Sequence, residues 1–393
     1  RGALLSYPVR PIEIFTRTNP FRTAGYLLDL AVGKLKARIR RRDVENLRTL
    51  MTDRFGARLF DDFYAAYIEK CVGLKSDQIS PLWARERENV SGKSLIDNVM
   101  KKVKSIFSRR FRQTLDRAND PSSKSIKAWY PRQGAGQMCD VMIAKLQNTE
   151  TRLHTAVVKI STLDGRIRGV TLQDGTRTVD MQADYYVSTL PLPDLLRLMD
   201  PPPPAALLEI ASRMKFRKVM LVNLIVAQAR ILDCLEVFSM DRDHLFKRLY
   251  EPKAMSAAMA PPDMSSLCLE VCYNDGDEVS NMPKDELVRR CVDSLVSMKI
   301  LSSAGLVKDS FLVDMPYAYP VYPLGFEKDR DRLLDYVSSF ANLLTAGRQG
   351  VFRYHAMTSE TMEMSDSVTR FLEGARDKQK ADNKTNKWGQ SFY

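Results

Sequence analysis

Residues 345–364 read TAGRQGVFRYHAMTSETMEM. Gly347 and Gly350 follow the apolar pair Leu343 and Leu344, and Arg348, Arg353 and Tyr354 stand around them. Glycine lets backbone approach a ligand closely. Arginine offers charge-assisted bonds to a diphosphate, and tyrosine stacks or donates a hydrogen bond. The spacing predicts a buried strand ending at Gly347 and a helix starting near Ser359, capped by Thr358 or Ser359. Between them would lie a crevice at a strand's carboxyl end, where open α/β sheets take ligands. The first N–H groups of that helix would favour an anion. An ordinary strand–turn–helix with surface arginines fits the same residues.

Other chemistry-bearing patterns are thinner. YPRQGAGQMCD (130–140) contains GAGQMC, close to GxGxxG but with Cys139 at the third glycine position. A dinucleotide fingerprint needs a strand before it, a helix after it and an acid about 20 residues on, and the residue 20 past Gly134 is His154. The pattern therefore predicts a tight turn capping a helix over about 137–147. Three histidines (154, 244, 355) cannot build a His-rich metal centre, and no metal site is expected. Of six cysteines, only Cys268 and Cys272 lie close, at a spacing that fits neither CxxC nor a zinc ribbon. Reduced thiols in a cytoplasmic protein are the expectation. No GxSxG elbow, HExxH or P-loop occurs.

These residues must be positioned by a sizeable fold. The chain has 393 residues, 44% of them hydrophobic and 9% aromatic, which suits packed cores in two or three domains. Its longest apolar run, VMLVNLIVAQA (219–229), is too short to span a bilayer. Sixty basic residues against 48 acidic ones give a net charge of +12. The excess is local: KLKARIRRR (34–42) and KKVKSIFSRRFR (101–112) each hold six basic residues and no acid. In the second, Val103, Ile106, Phe107 and Phe111 fall at helical spacing, so it reads as a basic amphipathic helix. A solvated basic face on its own domain explains it. Contact with an anionic membrane surface or with phosphate-bearing ligands is the sharper reading. No nucleic-acid fold motif accompanies the charge, so nucleic acid is not an expected partner.

Residues 43–118 put Leu47, Leu50, Met51, Phe55, Leu59, Phe60, Phe63, Tyr64 and Tyr67 three or four apart, a helical period. Near residue 153 the period changes to two. Asp-Gly pairs at 164–165 and 174–175 between apolar runs predict a β-meander over about 153–190. Its last strand, DYYVSTL, is apolar on both faces and suits a buried parallel position. PPPPAALLEIASRM (201–214) begins a helix after prolines. KVMLVNLIVAQ (218–228) and SLCLEVCYN (266–274) read as buried strands, and 283–301 as a helix with Leu287, Val288, Cys291, Leu295 and Val296 inward. A strand near 310–315 and a helix near 327–340 precede NLLTAG.

With these elements placed, GRQGVFRYHAM resembles the C-terminal flavin-contacting motif of a flavoprotein group. That group spans UDP-galactopyranose mutases and relatives of protoporphyrinogen oxidase, phytoene desaturase and flavin amine oxidases. FGARLFDDFYAAYIEKCVGLKSDQISPLWARER (55–87), YPRQGAGQM (130–138) and YAYPVYPLGF (317–326) are similar to three further stretches of the group, in the same order. The resemblance implies a mixed α/β (α+β) fold. A Rossmann-like sheet domain with the β-meander would bind FAD, and a substrate domain would carry an antiparallel sheet and a helical insertion. The expected division is 1–130 for the helical substrate cap, 131–200 and 326–375 for parts of the FAD domain, 201–325 for the substrate domain and 376–393 for a tail. Gly347, Arg348 and Gly350 would line the flavin, with the backbone near Met357 at its pyrimidine end and Val157 near the adenine. In the mutases, residues matching Arg348 and Tyr354 contact the substrate diphosphate. Arg85 or Arg87 would do likewise.

Relatives often carry an acid beside the motif's methionine, where Ala356 and Thr358 flank Met357, and a tryptophan where this chain has Val72. The group's glycine-rich FAD fingerprint and ribose-binding acid do not precede YPVRP (7–11), so the first βαβ unit is expected to be missing from an N-terminally truncated chain. Such a fragment would bind FAD weakly or not at all. The expected function is that of an FAD-dependent oxidoreductase acting on a small-molecule substrate at flavin N5. A mutase-like sugar-nucleotide isomerase and a non-catalytic homologue are the alternatives.

Overall fold

The computed structural model describes residues 20–39, 44–91, 129–354 and 361–374. The basic segment 101–112, residues 355–360 with Met357, and the tail from 375 lie outside the described residues. In chain order come helices α1 (Pro20–Ile39), α2 (Leu47–Phe55), α3 (Ala57–Phe63), α4 (Ala65–Val72), α5 (Leu82–Ser91) and α6 (Gly136–Ala144). Strands β1 (Thr155–Leu163), β2 (Arg166–Asp174), β3 (Arg177–Met181) and β4 (Tyr186–Ser188) follow, then α7 (Leu192–Arg197), β5 (Met199–Asp200) and α8 (Ala205–Arg213). Next are β6 (Phe216–Val226), β7 (Glu236–Phe238), β8 (Arg248–Tyr250), α9 (Pro252–Met255), β9 (Ser265–Tyr273), α10 (Lys284–Ser297) and β10 (Val307–Pro320). The chain closes with α11 (Phe326–Ser338), β11 (Leu343–Thr345), α12 (Gly347–Gly350) and a last helix, α13, over 361–374. The mixed α/β class expected from the sequence is the one observed.

The chain divides into two compact units, 1–149 with 217–318, and 150–216 with 319–393. The boundaries at 149/150, 216/217 and 318/319 differ from the expected 130/131, 200/201 and 325/326. Unit 1 holds a five-stranded sheet in the order β10-β6-β9-β8-β7, antiparallel at the β6–β9, β9–β8 and β8–β7 pairs. One face packs on α10, whose Leu287, Cys291 and Leu295 recur every fourth residue and so form one buried stripe. They meet Val222 and Leu224 of β6, Leu249 of β8, and Leu267 and Leu269 of β9. Each such side chain contributes about 1.5–3 kcal/mol by leaving water. Pro283 precedes α10, and Asp285 and Glu286 occupy its first turn, where the helix dipole favours acids.

Strand β6 does not read as buried throughout, as its apolar run suggested. Arg217 and Val219 are buried at its start and Val222, Leu224 and Val226 at its end, with Met220 and Leu221 half-buried between. Because side chains alternate, these two sets lie on opposite faces of the sheet. The helical block of α1–α4 belongs to the same unit. Asn46 caps α2 by accepting from Thr49 N–H at 2.8 Å. Gly56 (φ +82°) separates α2 from α3, and a Cβ there would stand 2.8 Å from the Leu30 backbone nitrogen, so only glycine lets α1 come this close.

Unit 2 contains the meander. Its sheet runs β3-β2-β1-β5, antiparallel at β3–β2 and β2–β1, and parallel at β1–β5. Asp164 (φ +49°) and Gly165 (φ +67°) form the two-residue turn between β1 and β2, the Asp-Gly geometry expected. A second sheet pairs β4 in parallel with β11. The parallel partner is as the sequence suggested, but β4 is not buried: Val187 is exposed, because β11 is the only strand paired with it among the described residues. Asn342, 2% exposed, ties the two sheets. Its side chain accepts from Ile167 N–H at 2.8 Å and donates to the carbonyls of Ile167 at 2.9 Å and Asp184 at 3.3 Å.

Candidate active-site turn

In unit 2, β11 delivers the chain to Gly347 (φ +78°), a left-handed conformation that glycine adopts without strain. The chain then coils at once into the single turn α12 instead of running extended towards a distant helix. The expected helix start near Ser359 lies outside the described residues, and helix is described from 361. Gly350 does not open onto space: a Cβ there would stand 2.8 Å from Thr345 Oγ1, whose hydroxyl donates to the Gly350 carbonyl at 3.0 Å. Gly350 thus closes the turn against β11, while Gly347 and Arg348 remain half-buried at its rim.

Arg348 lies over two rings, with its guanidinium carbon 5.2 Å from the centroid of Tyr354 and 5.9 Å from that of Tyr319. These two tyrosines stack at 5.4 Å. A cation over aromatic faces is attracted by the ring quadrupole and is held in one orientation. Behind them, fully buried Tyr322 fixes the backbone. Its hydroxyl accepts from Tyr354 N–H at 2.8 Å and lies 3.5 Å from the Phe352 carbonyl. Phe352 is buried at φ +49°, with its ring against Phe216, Phe326 and Tyr322 at 5.0, 6.1 and 6.2 Å. A non-glycine residue in that region is strained, and the aromatic box holds it there. Tyr319, Tyr322 and Phe352 were assigned no role from the sequence. The first two lie in the YAYPVYPLGF stretch, whose resemblance was the available signal.

The other candidates stand elsewhere. Val157 is half-buried on β1 beside a bulge at Val158. Arg85 is exposed on α5 in unit 1. Burial first, and then its charge, push the Arg54 guanidinium below its usual value. Arg87 lies on α5 by its backbone, with its side chain outside the described residues. Arg348 and Tyr354 are therefore the pair brought together. A cavity of about 360 Å³ in unit 1, lined by Ala229, Arg230, Leu235, Glu251 and Lys253 among others, contains none of the candidates. Its Glu251 already accepts from Leu232 N–H at 2.7 Å and from Ile231 N–H, and Lys253 donates to three carbonyls.

The two ends of FAD make different demands. The ring end needs close backbone and an oriented polar group, which the Gly347 turn and the tyrosine-held Arg348 provide. The pyrophosphate end needs a glycine-rich strand-to-helix turn. Among the described residues the nearest pattern, Gly134 to Cys139, opens α6 without a preceding strand. The residues present therefore fit the flavin-ring end. Among the described residues no group of His, Cys, Asp or Glu is placed to hold a metal ion, and no helix is long and apolar enough to cross a membrane. All six cysteines are free thiols.

Comparison with solved structures gives fold relatives. Reduced UDP-galactopyranose mutase aligns with a TM-score of 0.67 at 17% identity, over 86% of this chain and 68% of its own. A protein described as a protoporphyrinogen oxidase from Exiguobacterium sp. 255-15 aligns at 0.58 and 18%, over 88% and 72%. Cyclohexylamine oxidase from Brevibacterium oxydans IH-35A aligns at 0.52 and 14%, over 84% and 68%. At these identities the likeness is one of fold. No curated protein sequence gives a significant match. The sequence profile of "Flavin containing amine oxidoreductase" matches residues 69–348, most of the chain, and ends on Arg348. The chain thus belongs to the flavin containing amine oxidoreductase family, and FAD is the cofactor that this membership implies.

Proposed function

We propose that this chain carries the substrate domain and the flavin-ring side of an FAD-dependent oxidoreductase that oxidises a small molecule. The observation that carries the reading is the family match over residues 69–348. Bound FAD supplies the two-electron acceptor at N5. The protein's part is positioning and electrostatics. The Gly347 turn lets backbone approach the ring, and Arg348, fixed over Tyr319 and Tyr354, holds positive charge where negative charge accumulates. Tyr322 keeps the turn in shape. Met357 and Val157 are assigned to the pyrimidine end and the adenine side on resemblance.

The test is flavin binding by the chain as it stands. Titration should quench flavin fluorescence saturably but weakly, with lumiflavin binding about as well as FAD, since among the described residues only the ring end is served. Arg348→Ala should weaken both about tenfold, the loss of one charge-assisted contact of roughly 1.4 kcal/mol. Binding of lumiflavin that Arg348→Ala leaves unchanged, or no lumiflavin binding at millimolar concentration, overturns the reading.

A mutase-like sugar-nucleotide isomerase is the second reading, favoured by the Arg348–Tyr354 pair, which suits a nucleotide diphosphate. It requires UDP to bind with a calorimetric signal that Arg348→Ala removes. Arg85 and Arg87 are its further candidate contacts.

A further inference from the structure

Helix α1 packs on α2 and α3 by one side. Tyr26 donates its hydroxyl to Asp62 of α3 at 2.7 Å, and its ring meets Phe63 edge-on at 6.1 Å. Asp29 accepts from Arg58 N–H at 3.0 Å. Gly33 is buried, and a Cβ there would stand 2.7 Å from the Thr52 carbonyl oxygen of α2. Positions 26, 29 and 33 share one side of a helix, because 3.6 residues make a turn. The contacts that hold α1 to unit 1 therefore leave its opposite side facing outward.

A surface helix ordinarily turns charged and polar residues to water on that side. Here Phe21, Ala24, Leu28, Ala31 and Leu35 occupy it, spaced three and four apart, so they form one continuous row. All five are exposed, Phe21 at 88%, Leu28 at 61% and Leu35 at 58%, and exposed Val32 widens the row. Lys34 and Lys36 precede and follow Leu35, so at about 100° per residue they stand on the two flanks of the row. The single acid of α1 is Asp29, which is half-buried and pairs with Arg58 at 3.6 Å. From Lys34 to Arg42 the sequence holds six basic residues and no acid.

We propose that α1 docks this protein on an anionic membrane surface, lying in the plane of the headgroups with its apolar row at the acyl boundary and Lys34 and Lys36 on lipid phosphates. Apolar side chains flanked by cations are what an interfacial helix requires. Among the described residues no helix is long and apolar enough to cross a bilayer, and the Tyr26 and Asp29 contacts hold α1 to its own unit, so it lies on the surface and does not pass through it. A second copy is a poorer occupant, since α1 offers no free carboxylate to meet a partner's lysines. This docking goes beyond the oxidation chemistry and does not depend on flavin.

The experiment is co-sedimentation of the full chain with vesicles of equal parts phosphatidylcholine and phosphatidylglycerol, set against vesicles of phosphatidylcholine alone. Binding is expected to the mixed vesicles and should be far weaker without the anionic lipid. Leu28→Ser should weaken it about tenfold, through apolar surface kept in water. Lys34→Gln with Lys36→Gln should weaken it about thirtyfold, through two lost attractions to the lipid surface. Residues 101–112 are unaltered in every variant, so these losses report α1. Val179→Ser, at an exposed position on β3, should change nothing. Phe21→Trp should add fluorescence that moves to shorter wavelength on the mixed vesicles. Absent binding, binding that Leu28→Ser leaves intact, or equal binding to both vesicles overturns the proposal. Sedimentation velocity and urea denaturation without lipid test the other occupants. A dimer that Leu28→Ser dissociates overturns it, since the row would then join two copies. Destabilisation by Leu28→Ser beyond the change in helix propensity also overturns it, since the row would then be covered by this chain itself.

Discussion

Glu270 is a carboxylate taken almost wholly out of water, 5% exposed, between Lys247 and Arg248. Burial pulls its pKa up, but the two cations outweigh that and hold it below the usual carboxylate range. Its ion pairs therefore contribute stability above the ordinary glutamate pKa, and that contribution is lost as pH falls through the lowered value. Glu270→Leu should cost about 3–5 kcal/mol in urea denaturation at neutral pH, because it strands buried positive charge. At Lys70 burial prevails instead, and the pH dependence runs in the same direction. Burial lowers its pKa from 10.5 to about 8, so the folded state binds fewer protons than the unfolded chain between those values. Stability should rise with pH through that window. Lys70→Met should flatten the slope, as read from urea midpoints across the same pH range.

At the scale of elements, Asn342 does the work of a strand pair with one amide. Asn342→Leu leaves both backbone groups of buried Ile167 without their partner and should destabilise by about 2–4 kcal/mol, measured by thermal unfolding. Nothing local announced this residue, since its partners are 158 and 175 positions away. The β1–β2 hairpin, by contrast, was legible, because Asp164-Gly165 writes its geometry in two adjacent residues. So was α10, whose stripe repeats within one helix. The alternating burial of β6 was not legible, since an apolar run does not say which neighbours cover it. At the candidate site, Gly347, Arg348 and Tyr354 could be read from a short motif. The tyrosine box behind them draws on residues about 30 positions upstream, and only the fold assembles it.

Each unit of the whole molecule is stitched from two distant lengths of chain. In unit 2 the parallel pair joins residues 186–188 to 343–345, so a large loop-closure entropy precedes any reward. Pulse-labelled hydrogen exchange during refolding should protect the amides of the local helix α10 before those of Leu343–Thr345. Simultaneous protection would contradict this order. The net charge of +12 acts at the same scale. Retention on anionic vesicles is proposed through residues 101–112, and it should fall as salt screens the charge.

The change of covered side halfway along β6 makes that strand intolerant of a shift in count. Removing Met220 or Leu221 would rotate everything after it by half a period. Val222, Leu224 and Val226 would then turn towards the opposite face of the sheet, and Asn223 would be driven into the aliphatic core on α10. One omitted codon there would therefore wreck the hydrophobic interior of the whole unit.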